Sequence, residues 1–365
     1  MKALTSCTFV VLAGALALGC GPKSDKAFVA RMSAAESARP DVDKAVALYD
    51  EAAHNAPRAG DALLAQEAAA TLLERAGRLN EADPRWVAIA ADPRASAFDK
   101  GAATLRLVGL RAASEQERAT QEIAWVKANP AHPAAPKVVR ERLLALDDDD
   151  ARLGLANDIL AAPGTSPVAP WLRMEKARIA ARGGRLADAV DQLESLANDD
   201  PYPKGVLFDD AIDEGSLLAL RVGDEPRALR LLERATSERE SSWIVGSANR
   251  PRFSAIFLRR ARLQRTPDAA MAAYREMLNA LPEARETGEA RFELGVLEAA
   301  QGHAAEACTL ARELQTHDEK RLVAKCAARF CSALDLEKPS AETCAVLTER
   351  ANDDRKGLPR PGLDR

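Results

Sequence analysis

The sequence predicts an all-α fold, and three observations carry the prediction. Apolar residues are 47% of the 365, but aromatics are only 4%, so the apolar share is chiefly Ala and Leu. That composition suits closely packed helices better than sheets, which favour β-branched and aromatic residues. No alternating apolar–polar run of useful length remains once Phe9-Val10-Val11 is set aside. Finally, a unit of two amphipathic helices with a glycine turn between them and a proline at the end, clearest in residues 168–201, recurs along the sequence.

The first twenty residues are of another kind. Lys2 precedes an apolar run from Phe9 to Leu18 that is too short to span a bilayer well. The run ends in Ala17-Leu18-Gly19-Cys20, which resembles the lipobox of bacterial lipoproteins, although Ala17 stands where that pattern usually has Leu. The resemblance implies a signal peptide over 1–19, cleavage before Cys20, lipidation of its thiol, and a lipidated Cys and tether over 20–23. An ordinary secretory signal is the plainer alternative. Both take the protein out of the cytoplasm, and lipidation would hold it to a membrane surface of the cell envelope, facing the periplasm. The residue after Cys20 is Gly21 rather than Asp, which favours the outer membrane.

Residues 24–161 read as degenerate helical repeats. The stretches 24–38 and 41–55 form a first pair, with Ala45, Tyr49 and Ala52 on one face and Pro57 closing it. An Ala/Leu-rich helix over 61–78 ends at Ala76-Gly77, and 82–92 contains Pro84 and stops at Pro93. The pairs 96–112 with 115–128 and 136–146 with 150–161 follow. The acidic run Asp147 to Asp150 is placed to cap the last helix at its N-terminus. A calcium loop would need a Gly and a distal Glu that the run lacks.

Residues 162–170, APGTSPVAP, break the pattern and read as a hinge; 171–352 are better-formed repeats. In 168–201 the residues Ala189, Leu193, Leu196 and Pro201 repeat the offsets of Ala45, Tyr49, Ala52 and Pro57. Here the sequence resembles the tetratricopeptide-repeat family. The matching residues are Ala177, Gly184, Ala189, Leu193 and Pro201. A second copy has Gly223, Ala228, Leu232 and Ala235; a third has Ala270, Tyr274, Met277 and Pro282; a fourth has Leu294, Gly295, Gly302 and Ala307. The resemblance implies a solenoid of helical hairpins, each covering its neighbour's apolar face. The stretch 237–252, with Trp243, is the largest insertion, and its plainest role is to fold Trp243 and Ile244 back over a helix. After one last helix, 353–365 reads as a disordered tail.

Four cysteines remain for an exported protein: Cys308, Cys326, Cys331 and Cys344. An even, clustered set suggests disulfides. Three pairings are open, and Cys308–Cys326 with Cys331–Cys344 is favoured because each would staple successive helices. The spacings fit no known zinc finger, although His303 and His317 lie nearby.

No metal, cofactor or catalytic site is expected. None of His54, His132, His303 and His317 sits in a nucleophile, metal or acid–base motif, and no phosphate loop or G-x-S-x-G is present. The formal net charge of -4, with both signs interspersed, gives no pull toward nucleic acid. The family resemblance implies instead a partner groove lined by first helices. Mapped here, it takes Trp171, Met174, Arg178 and Arg182, then Asp210, Asp213, Leu217 and Arg221, then Arg252, Arg259 and Arg262. Guanidinium groups suit carboxylates, so an acidic peptide or the C-terminus of another polypeptide is the expected ligand. The expected function is an envelope scaffold that binds a protein or peptide partner. The alternative is an accessory protein for cell-wall glycan or a small solute, which would want aromatic platforms.

Overall fold

The computed structural model describes residues 25–199, 207–241, 251–318, 321–331 and 340–358, side chains at 238–241, 251–252 and 317–318 apart. Among them are eighteen α-helices, two 3-10 turns and no strand. The fold is all-α, a tetratricopeptide-like succession of helical hairpins in which most helices pack on a neighbour in sequence. No helix among the described residues is long and apolar enough to cross a membrane. The leader, Cys20 and the tether lie outside the described residues.

The protein divides into two compact units, one ending at Arg142 and the other beginning at Leu143. In the first, α1 (Lys26–Ser37) pairs with α2 (Val42–His54), α3 (Ala59–Arg75) with α4 (Leu79–Ala91), and α5 (Ala97–Arg111) with α6 (Glu115–Ala128); α7 (Ala135–Leu144) follows and ends just past the division. Short polar residues start these helices: Asp41 accepts from the Lys44 amide at 3.1 Å, and Ser96 with Asp99 forms a reciprocal capping box. Ala45, Tyr49 and Ala52 are fully buried in one core with Phe28 and Ala65, as their spacing predicts. The Tyr49 hydroxyl donates to Glu36 at 2.5 Å, and burial pushes it up to about 12.

The second unit holds α8 (Asp149–Leu160), α9 (Ala169–Arg182), α10 (Leu186–Asp199), α11 (Phe208–Arg221), α12 (Glu225–Ser241), α13 (Pro251–Arg262), α14 (Pro267–Ala280), α15 (Thr287–Ala300), α16 (Ala304–Asp318), α17 (Leu322–Ala327) and α18 (Ala341–Arg355). Asp148 caps α8 by accepting from the Ala151 amide at 2.8 Å, the role expected of the acidic run. Gly184 sits at φ 78, a left-handed conformation that turns the backbone tightly from α9 into α10. One core runs through α9 to α15 and includes Ala177, Ala189, Leu193, Ala228, Leu232, Ala270, Tyr274 and Met277. Its small residues let the helices approach closely.

Several expectations are corrected. The division falls at Arg142, not at 162–170. There Ser166–Val168 forms a 3-10 turn leading into α9, with Val168 and Thr165 buried and the Thr165 hydroxyl donating to the Ala162 carbonyl at 2.9 Å. The insertion is shorter than 237–252, because α12 runs to Ser241 and α13 begins at Pro251; Trp243 and Ile244 lie outside the described residues. The tail does not begin at 353: α18 continues to Arg355, and Asp354 and Gly357 are buried. Residues 359–365 lie outside the described part.

The cysteine pairing is also different. The bridges are Cys308–Cys331 and Cys326–Cys344, with Cα separations of 4.8 and 5.7 Å. After α17, the 3-10 turn Ala328–Phe330 brings Cys331 back to α16, while Cys326 within α17 meets Cys344 of α18. The same turn lays Phe330 against Gly295, where a Cβ would stand 2.7 Å from the ring.

Candidate partner-binding face

The first helices of four hairpins, α9, α11, α13 and α15, are joined side by side by ion pairs. Arg178 of α9 grips Glu214 of α11 with both arms, at 2.5 and 2.9 Å. Arg259 of α13 donates to Asp213 of α11 at 2.5 Å and to Ser216 at 3.2 Å. Arg262, the last residue of α13, reaches Glu289 of α15 at 3.0 Å and also pairs with Glu293. Arg182 is held by Asp149 of α8 at 2.7 Å and by Glu175 at 2.8 Å. Hydrogen bonding to Glu214 keeps Arg178 firmly charged, and Asp149 does the same for Arg182.

This pattern corrects part of the expected groove. Met174 is buried in the core, and Arg259 and Arg262 are only 5% and 2% exposed. Their guanidinium groups face neighbouring helices, where they pair with acidic residues 46 and 27 positions away in sequence. An apolar seam would need matched shapes; an ion pair needs only opposite charges in reach. Trp171 is half-buried, Asp210 lies near enough to Arg178 to strengthen its charge, and the Arg252 side chain lies outside the described residues. Sequence reasoning missed Glu214, Ser216, Glu289 and Glu293. The 36 residues between Arg178 and Glu214, close to one repeat, were the available signal.

Arg221 and Arg262 are placed differently, because each also holds a piece of the C-terminal segment. Arg262 pairs with Asp354, and Arg355 returns a hydrogen bond to the Arg262 carbonyl at 3.0 Å, satisfying the open end of α13. Arg221, an exposed residue at the end of α11, donates to the Gly357 carbonyl at 2.6 Å. Residues 354–357 thus lie across the ends of α11 and α13, and Asp354 comes within electrostatic reach of Glu289 and Glu293 on α15. Burial pushes the Asp354 carboxyl up to about 6, against the pull of Arg262 and Arg259 and with the push of the two glutamates. Burial also raises Tyr274, whose hydroxyl donates to Glu293 at 2.5 Å.

Chemically, the face offers donors to a carboxylate and a backbone carbonyl, those of Asp354 and Gly357. No group of three or more His, Cys, Asp or Glu is placed to hold a metal among the described residues.

No protein-family model matches the protein, and no curated protein matches it in sequence. Among solved structures, a monomeric mutant of IFIT1 with m7Gppp-AAAA is similar at 15% identity and a TM-score of 0.33, over 87% of this protein and 74% of that one. That likeness is too distant to assign a role to any residue.

Proposed function

We propose that the protein is an interaction scaffold of the bacterial envelope, anchored through a lipidated Cys20, that binds a protein partner on the first-helix face of its second unit. It acts by binding rather than by catalysis. One observation carries the reading: the face already accommodates a peptide segment, with Asp354 on Arg262 and the Gly357 carbonyl on Arg221. Guanidinium donors of this kind suit an acidic segment. The lipobox resemblance around Cys20 and the two disulfides of the second unit support a place outside the cytoplasm.

A photo-crosslinking residue at Leu217, in the full-length protein expressed in its own cells, tests the scaffold. A single crosslinked protein is expected, lost on Arg221→Glu and retained on Lys44→Glu, a change in the first unit. Capture that ignores Arg221→Glu, or no reproducible crosslink, would overturn the reading. The anchor is tested separately by metabolic acyl labelling, which Cys20→Ser should abolish.

A further inference from the structure

The segment at the end of α18 has a definite shape. The Leu358 amide donates to the Asp353 carbonyl at 2.9 Å and the Gly357 amide donates to the Asp354 carbonyl at 3.1 Å. Gly357 lies at φ 69. This is a helix end closed by a left-handed glycine, with hydrogen bonds of the Schellman type. The face reads each part of it. Arg262 takes the Asp354 carboxylate, three residues before the glycine. Arg221 takes the Gly357 carbonyl, and its positive charge also suits the negative end of the helix dipole.

The glycine is read by contact as well as by conformation. A Cβ on Gly357 would collide with the Leu217 carbonyl oxygen and stand 3.0 and 3.1 Å from Cγ and the amide nitrogen of Arg221. Two of these three atoms are backbone, so the face cannot yield cheaply. Only a glycine-closed helix end fits at this depth.

We propose that this face is a receptor for an acidic helix end of the form Asp-x-x-Gly, that residues 354–357 are its intramolecular occupant, and that the protein partner binds by presenting the same helix end and displacing them. The proposal rests on the scaffold reading for the existence of a partner, but the receptor site itself does not. The Cys326–Cys344 bridge fixes α18 to α17 and so keeps the internal occupant at high effective concentration. A partner in trans must outcompete it, and the observed affinity is lowered by the fraction of time the face is filled.

The full-length protein and a fluorescent synthetic peptide of residues 341–358, carrying Cys344→Ser, provide the test. Gly357→Leu in the full-length protein should expel its own helix end, seen as faster hydrogen exchange at 353–358 with the exchange of α9 and α10 unchanged. Fluorescence anisotropy should then show the peptide binding this variant at least tenfold more tightly than wild type. Adding Arg221→Glu to the variant should remove the gain. Peptides with Asp354→Asn or Gly357→Leu should bind the opened protein at least tenfold more weakly.

Three results would overturn the proposal: equal peptide binding by wild type and an opened Gly357→Leu protein, unchanged exchange at 353–358 in that variant, or indifference to the glycine in the peptide. A wild-type dimer that exchanges α18 between copies would make the occupant a second copy of this protein and overturn the intramolecular assignment. The two readings fail separately. Peptide binding without a cellular crosslink leaves the receptor site standing and removes the scaffold; a crosslink without peptide binding does the reverse.

Discussion

Arg221 donates to the carbonyl oxygen of Gly357 at 2.6 Å, joining residues 136 positions apart in sequence. With Arg262 and Asp354, this contact turns the C-terminal helix back over hairpins that precede it by two to three repeats. It also ties the stability of the face to groups that titrate or carry buried charge.

Arg262 is 2% exposed and serves Glu289, Glu293 and Asp354 at once. Arg262→Met should fill a similar volume but take away the cation that the three carboxylates share. Breaking a buried ion pair by removing one partner costs roughly 3 to 5 kcal/mol. Calorimetry should show that loss; a change below about 1 kcal/mol would mean that the carboxylates are satisfied by water or by other cations.

In the first unit, Glu67 has a carboxylate oxygen that is buried without a hydrogen-bond partner. Burial, with a smaller push from Asp99, raises its carboxyl from 4.5 to about 7. The folded state therefore holds this proton more tightly than the unfolded state does. The associated stability is present below pH 4.5 and is lost as the pH rises through 7. Glu67→Gln does not titrate there. It should match wild type near pH 5 and exceed it by about 1 to 2 kcal/mol at pH 8, after allowance for partial exposure. Equal thermal stability of the two proteins at pH 8 would rule this out.

Gly295 of α15 lies under the ring of Phe330, which also meets Phe292 at 5.8 Å between centroids. Gly295→Ala places a methyl group 2.7 Å from ring carbons and should cost about 1 to 3 kcal/mol despite its better helix propensity. The double variant with Phe330→Ala should recover part of that loss. Additive losses in the double variant would show that the ring is not what the methyl strikes.

Non-reducing peptide mapping should recover Cys308 joined to Cys331 and Cys326 joined to Cys344. These bridges close short loops, and on the conformational-entropy view each contributes about 3 kcal/mol. Reduction should therefore lower the unfolding temperature and speed hydrogen exchange first in α17 and α18, with α1 to α6 unaffected. Recovery of Cys308 joined to Cys326 would refute the fold of this region.

Much of the architecture was legible in the sequence. Ala45, Tyr49 and Ala52, and again Ala189, Leu193 and Leu196, recur at helical spacing because a helix must bury one face, and each residue is buried. The acidic run 147–150 was recognisable as a cap because a short acid next to a helix start has few better partners than free amides, and Asp148 is the residue that caps. The site was less legible. Arg178, Arg182, Arg259 and Arg262 were found as a set, but their carboxylate partners lie 27 to 46 residues away at the closest pairs between helices, beyond any local pattern. The contribution of Asp354 had no local signal at all, being 92 residues from Arg262.

By itself, the sequence determined the helices, their turns and the repeated hairpin, because these follow from periodicity, glycine and short polar caps, all set by near neighbours in sequence. It also determined that the cysteines form a clustered, even set. Only the tertiary structure decided which cysteines meet, because a 3-10 turn reversed the order that their sequence suggested. Only it decided that Arg259 and Arg262 turn inward while Arg221 stays outside, and that the C-terminal segment is a helix end laid on the arginine face. Those outcomes depend on which surfaces close packing brings together, and closure of a long loop leaves no periodic trace in the residues that it joins.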